Sequence, residues 1–274
     1  MLDQNSPQRQ VDATLFDAYA PAEIANRIEK AGITKSALPL LPLIALSILA
    51  GAFIAFGAMF YTVAMTQTDL GFGPSRVFGG VVFCLGLVLV VVGGAELFTG
   101  NSLIVMGWAD GRIKTKALLR NWGVTFCGNL VGAVLMAGLV AASGTLDMAA
   151  GAVGETAQAI AAAKIVLDPV QALVRGILCN ILVCLAIWLC FAAHSVTAKI
   201  MAILFPITAF VALGFEHSIA NMYFIPVAMI SGDGTISMMD FVMNMVPVTV
   251  GNVIGGGVFV ALTYYIIYLR KPLP

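Results

Sequence analysis

Charge is what this sequence has least of: only 10% of its 274 residues are Asp, Glu, Lys or Arg, against roughly 25% in an average soluble domain. With 60% hydrophobic residues beside it, that scarcity excludes an ordinary water-soluble fold. The charges balance, 14 against 14, and a net charge of zero argues against nucleic acid as a partner. H-E-x-x-H, G-x-S-x-G and a paired intramembrane Asp are all missing, which removes the usual constellations of a membrane-embedded enzyme. Cys84, Cys127, Cys179, Cys184 and Cys190 sit separately in apolar stretches, without a C-x-x-C pair. They read as buried packing residues, and no disulfide, metal or cofactor is implied. A scaffold or receptor subunit would need a sizeable soluble domain, and the longest polar stretch is residues 1–36.

What the chain has instead is six long apolar runs: Ala37–Met65, Val77–Ala109, Leu118–Ala142, Pro169–Ala193, Ile200–Ile230 and Phe241–Leu269. Each exceeds the roughly 20 residues that cross a bilayer as helix. Lipid offers no partner to a free backbone N–H or C=O, so such spans are helical. The expected fold is an all-α integral membrane protein with six transmembrane helices. With both termini cytoplasmic, that side collects Arg9, Arg27, Lys30, Lys35, Arg112, Lys114, Lys116, Arg120, Lys199, Arg270 and Lys271, and the other side keeps Arg76, Lys164 and Arg175. This positive-inside bias sets the orientation. Residues 1–36 place Leu15, Phe16, Ile24 and Ile28 on one helical face, as in an amphipathic cytoplasmic arm. Residues 37–270 form the six-span body and 271–274 a cytoplasmic tail.

The body repeats itself. Gly94–Asn101 and Gly214–Asn221 both read G-x-E-x4-N, and Gly128–Gly132 and Gly251–Gly255 both read G-N-x-[VI]-G. Matched motifs in matched order suggest two halves, about 37–142 and 169–269. Three spans per half is an odd number, so the halves are inverted relative to each other. The segments carrying G-x-E-x4-N would be roughly 50 Å long as single helices, well beyond a hydrocarbon core of about 30 Å. The second and fifth helices are therefore expected to break at the motif.

Glu96 and Glu216 lie at these breaks, and intramembrane ionisable residues mark functional regions. Two readings stand: each carboxylate ties down the unpaired backbone N–H groups of its own break, or the pair are proton carriers or cation ligands. Both copies keep Glu while the residues between Glu and Asn differ, which favours the brace. His217 adjoins a break and replaces Leu97 of the other copy, which favours a pathway role over a satisfied interior histidine. His194 reads as a solvated loop residue. Half-helix N-termini carry partial positive charge, so a pore lined by two of them favours an anion, with Thr99 as a further donor.

Gly93–Gly100 (GGAELFTG), Gly176–Ala186 (GILCNILVCLA) and Gly214–Met222 (GFEHSIANM) resemble signatures of the formate/nitrite transporter family, and Pro247–Gly257 (PVTVGNVIGGG) resembles its formate-channel branch. The resemblance implies an aquaporin-like protomer of six spans in a homopentamer, one pore per subunit, in the inner membrane. Carried over, it puts Thr99 and His217 at the pore centre, Phe83, Leu87 and Phe210 at an outer constriction, and Leu97 and Phe98 at an inner slit. Asn180 and Val183 fall at pore-lining positions. Lys164 and Asn221 match polar residues that aid anion attraction and imidazole orientation. The implied function is passive or proton-coupled movement of formate. Nitrite, hydrosulfide and other small monovalent anions remain alternatives, because Thr99 is followed by Gly100-Asn101 and the loop Ser231–Asp240 is short for that branch. The arm is expected to close the inner mouth at low pH.

Overall fold

The computed structural model describes residues 18–232 and 234–270; Leu15 and Phe16 of the arm and the tail 271–274 lie outside the described residues. Among the described residues the secondary structure is helical throughout, with no strand. The helices are α1 (Pro21–Ser36), α2 (Leu40–Met65), α3 (Phe72–Gly93), a 3₁₀ turn (Gly100–Ile104) leading into α4 (Val105–Ala109), α5 (Thr115–Ala142), α6 (Ala152–Ile165), α7 (Pro169–Ala192), α8 (Val196–Ala212), α9 (Ser218–Ser231) and α10 (Met238–Val253). The last continues as a π-helical stretch (Ile254–Leu262) and α11 (Thr263–Tyr268). Among the described residues, five helical stretches are long and apolar enough to cross a membrane: α2, α3, α5, α7 and the continuous Met238–Tyr268. The chain is a multi-pass membrane protein.

Element order repeats along the chain. A short helix, two longer helices, an irregular stretch, another short helix and a long helix run from α1 to α5 and again from α6 to α10. Helix α6 is absent from the sequence expectation. Its 14 residues are too short for a span, and Glu155, Gln158 and Lys164 interrupt its apolar pattern.

The two irregular stretches begin alike. Gly94 and Gly214 take positive φ, 82° and 72°, which a residue with a Cβ adopts only at a cost. In each copy the next N–H reaches back to the helix it leaves: Ala95 N donates to Val90 O and Phe215 N to Phe210 O, both at 3.0 Å. This six-to-one closure ends a helix sharply. It explains the glycine that opens G-x-E-x4-N.

The second repeated motif does a different job. A Cβ on Gly132 would overlap the Ile48 carbonyl, and one on Gly255 the Ile177 carbonyl. Small residues here let α5 lie against α2, and the α10 continuation against α7, at backbone contact. Asn129 and Asn252 are thereby carried to the two interruptions. Just past Asn252 the helix widens, because the Asn180 side chain donates to the Asn252 carbonyl at 2.6 Å and fills space that a Cβ on Gly256 would take. Inserting a side chain into a helix ladder is a recognised cause of such distortion.

Candidate functional site

Each interruption is closed by the same set of side chains. In the first, Lys35 Nζ donates to Glu96 Oε1 at 2.8 Å and to Asn101 Oδ1 at 3.1 Å, while Asn101 Nδ2 donates to Glu96 Oε2 at 2.7 Å and to Asn121 Oδ1 at 2.9 Å. In the second, Lys164 Nζ donates to Glu216 at 3.0 and 3.2 Å, and Asn221 Nδ2 donates to Glu216 Oε2 at 2.6 Å and to Asn244 Oδ1 at 2.8 Å. Asn121 and Asn244 turn their own amides back to the carbonyls of Lys35 and Lys164. Lysines and carboxylates this deep need such partners, since an unpaired buried charge is costly.

Sequence reasoning missed Lys35, Asn121 and Asn244. The last two stand eight residues before Asn129 and Asn252, a shared N-x7-N spacing that extends the repeat. Lys35 and Lys164 each lie five residues before the next long helix. Those spacings were the available signal.

The expected brace is corrected in its chemistry. Among the described hydrogen bonds, neither glutamate carboxylate accepts from a backbone N–H; their partners are the lysine and asparagine side chains. That task falls to the two asparagines: Asn129 Oδ1 accepts from Phe98 N and Asn252 Oδ1 from Ser218 N, both at 2.9 Å. Their amides donate to the backbone carbonyls of Glu96 and Glu216, also at 2.9 Å. An amide can accept and donate at once, which a carboxylate does not.

Between the interruptions, Thr99 Oγ1 and His217 Nε2 meet at 2.9 Å, both buried. His217 Nδ1 accepts from Ala220 N at 3.1 Å and so caps the start of α9. In the neutral imidazole, an Nδ1 that accepts leaves the proton on Nε2. Thr99 therefore accepts from His217, and its own hydroxyl proton is free to donate elsewhere. Asn180 Nδ2 fixes the Thr99 carbonyl at 3.1 Å and Ser102 Oγ at 3.2 Å, and its Oδ1 is buried without a partner. Among the described hydrogen bonds none joins Asn221 to the imidazole: its amide donates to Glu216 and Asn244, and the backbone N–H of Ala220 holds the ring.

Two cavities approach this pair. One, about 540 Å³, is lined by Lys35, Lys199, Glu96, Leu97 and Gly100; the other, about 470 Å³, by Lys164, Arg76, Arg175, Phe83, Phe210 and His217. The second gathers all three cations that the charge count left on one side of the membrane. Phe83 and Phe210 pack edge to face at 5.7 Å, and Phe210 lies 5.9 Å from the His217 ring. Leu87 and Val183 are buried in the same cluster but line neither cavity. Leu97 faces the first cavity, whereas Phe98 turns away to pack on Phe126 and Trp122 at 5.1 and 6.3 Å.

One smaller reading also changes: Cys127 is exposed on the helix surface, while the other four cysteines are buried. His194 is exposed in the connection between α7 and α8, with its ring tilted over that of Tyr19 at 4.0 Å. No cluster of three potential metal ligands occurs among the described residues.

The family model described as formate/nitrite transporter matches residues 22–266. The formate channel FocA of Escherichia coli (strain K12) is 40% identical over 275 residues, covering 93% of this chain and 96% of that protein. A probable formate transporter of Methanothermobacter thermautotrophicus is 41% identical over 269 residues, covering 92% and 98%. A solved structure described as a pentameric formate channel with formate bound matches with a TM-score of 0.78 at 39% identity, covering 84% of this chain and 98% of that one.

Proposed function

The chain belongs to the formate/nitrite transporter family, and from that premise we propose that it carries formate across the cell membrane, passively or coupled to protons, past Thr99 and His217. The observation that carries the reading is the buried Thr99–His217 contact of 2.9 Å, set between two cavities that each hold a lysine. It is a transporter and not an enzyme: the chain binds and releases the anion, and no bond in the anion changes other than to hydrogen.

The topology that fits is six spans, with α3 and α4 forming the second and α8 and α9 the fifth, each broken at its irregular stretch. The repeated element order supports inverted halves. Both termini then lie in the cytoplasm, the Lys35 cavity opens inward and the Lys164 cavity outward. The name of the solved relative makes a homopentamer the assembly proposed here.

An anion entering from outside meets the field of Lys164, Arg76 and Arg175, then the apolar ring of Phe83 and Phe210. A charge crosses such a ring poorly because burial strips its water. At the centre it meets the Thr99 hydroxyl proton, left free because His217 Nε2–H donates to Thr99 Oγ1, and this donor replaces that water. The Ala220 N–H on Nδ1 favours simple hydrogen bonding over proton donation, since a neutral ring held this way has only its Nε2 proton. Leu97 forms the inner barrier, and the Lys35 side receives the anion.

The first test is formate uptake by liposomes carrying the purified wild type, in competition with nitrite, hydrosulfide, acetate and lactate. Saturable formate flux that the larger carboxylates inhibit least is expected. Absence of any formate flux would overturn the reading.

The arm gives a second expectation. Glu29 on α1 is buried, pairs with Arg112 at 3.0 Å through Oε2, and has no hydrogen-bond partner at Oε1. Burial pushes its carboxyl above the ordinary carboxylate range, with the neighbouring Asp110 adding and Arg112 opposing. A raised native value means the docked arm prefers the protonated form. The resulting stabilisation is complete below the ordinary carboxylate range and is lost as pH rises through the raised value. Amide protection across 21–36, corrected for the intrinsic pH dependence of exchange, should therefore be greater at pH 5 than at pH 7, with the difference abolished in Glu29→Gln. Equal protection at both pH values in the wild type would remove Glu29 from any acid closure of the inner mouth.

A further inference from the structure

Arg76 stands at the outer end of α3, away from the Thr99–His217 contact, and every hydrogen bond of its guanidinium goes inward. Nε donates to Ala212 O at 3.1 Å, Nη2 to Val211 O at 2.7 Å and Nη1 to the Tyr61 hydroxyl at 3.0 Å. Val211 and Ala212 close α8, where carbonyls lose their helical partners and the helix dipole is negative. A planar fork with three donors suits that end, and a lysine does not reproduce it.

The surroundings tie this fork to the aromatic ring. Arg76, Gly79, Gly80 and Phe83 recur along one helical face of α3, at i, i+3, i+4 and i+7. A Cβ on Gly79 would strike the Tyr61 ring, at 2.7 Å, and one on Gly80 the Thr208 carbonyl, at 2.6 Å. The Tyr61 ring meets Phe83 edge-on at 6.5 Å and Phe224 at 5.9 Å, and Lys164 Nζ lies 5.4 Å above the Phe224 ring. Phe83 then meets Phe210, and Phe210 the His217 ring. The other interruption has no counterpart to the fork: Glu96 N donates to the Leu46 carbonyl where Glu216 N donates to that of Arg175, and among the described hydrogen bonds no arginine side chain reaches the end of α3.

We propose that Arg76 is a positioning residue for selectivity: it clamps the end of α8 to Tyr61, and so sets the separation of Phe83 and Phe210 and the seat of His217. Its charge at the mouth is a lesser contribution. This inference rests on the transport reading above, deepening it by naming what holds the constriction.

The test compares Arg76→Lys, which keeps the charge and loses the fork, with Arg76→Gln in liposomes. The ratio of formate to lactate flux is the readout, because a change in protein yield alone does not move it. A fall of about 10-fold in that ratio is expected for both variants, in the range that small displacements of a site produce. A wild-type ratio in Arg76→Lys would overturn the proposal, leaving the charge alone at work. Should Arg76→Lys fail to assemble, Tyr61→Phe removes only the clamped hydroxyl and carries the same two outcomes. Amide exchange over residues 209–217 separates the two readings. If the wild type moved no formate, the transport reading would fall, while faster exchange in Arg76→Lys would still support the clamp and equal exchange would sink it.

Discussion

Formate flux through a His217→Phe variant in liposomes is expected to fall about 10- to 100-fold. Phenylalanine fills much the same space and keeps a ring against Phe210, so packing changes little. What it removes is the Nε2 proton shared with Thr99 at 2.9 Å and the Nδ1 acceptor for Ala220 N at 3.1 Å. A hydrogen bond to a charged partner contributes about 1.5–3 kcal/mol, and each ~1.4 kcal/mol in a barrier is about tenfold in rate. The cap is a separate loss, typically about 1 kcal/mol of helix stability. His217→Asn distinguishes the two, because asparagine caps a helix well but is too short to reach Thr99 in the same way. Low flux in both variants assigns the effect to the ring proton; wild-type flux in His217→Asn would reduce His217 to a cap.

The sites where the chain departs from plain helix were legible because each departure carries glycine and an ionisable residue inside an apolar run. Gly94 and Gly214 with Glu96 and Glu216 stand out against their neighbours, and His217 against Leu97. The duplication was legible for the same reason. The partners of those glutamates were not. Lys35 sits among the ordinary charges of a polar arm, and nothing local says that its ammonium crosses to a carboxylate 61 residues away. Asn121 and Asn244 are single polar residues in apolar helices, visible only once their common spacing to Asn129 and Asn252 is compared. Helix α6 was missed because its residues are small, alanine-rich and neither apolar enough for a span nor strongly amphipathic. The direction of Phe98 follows from a backbone that is not helical, where side-chain periodicity gives no guide.

Asn129→Leu and Asn252→Leu are each expected to cost several kcal/mol of stability and, in a multi-pass chain, most of the assembled protein. Leucine is close in size and apolar, so on packing grounds alone either change should be tolerated. The hydrogen bonds decide otherwise. Asn129 joins Phe98 N, Ser47 O and Glu96 O, and Asn252 joins Ser218 N, Gly176 O and Glu216 O, at 2.7 to 2.9 Å. The carbonyls of Ser47 and Gly176 lie inside α2 and α7 and keep their helical partners, but removal strands the N–H and the carbonyl at each break, at roughly 1–3 kcal/mol for each group left unsatisfied. The total reaches the lower end of the roughly 5–15 kcal/mol that holds a typical domain folded. Glu96→Gln is the informative contrast, since a glutamine oxygen still accepts from Lys35 or Asn101 and the backbone is untouched. It should melt closer to the wild type in detergent than either leucine variant. An Asn252→Leu protein that assembles and melts with the wild type would mean that the second interruption closes its backbone by another route, and the asparagines, rather than the more conspicuous glutamates, would lose their place as the braces of the fold.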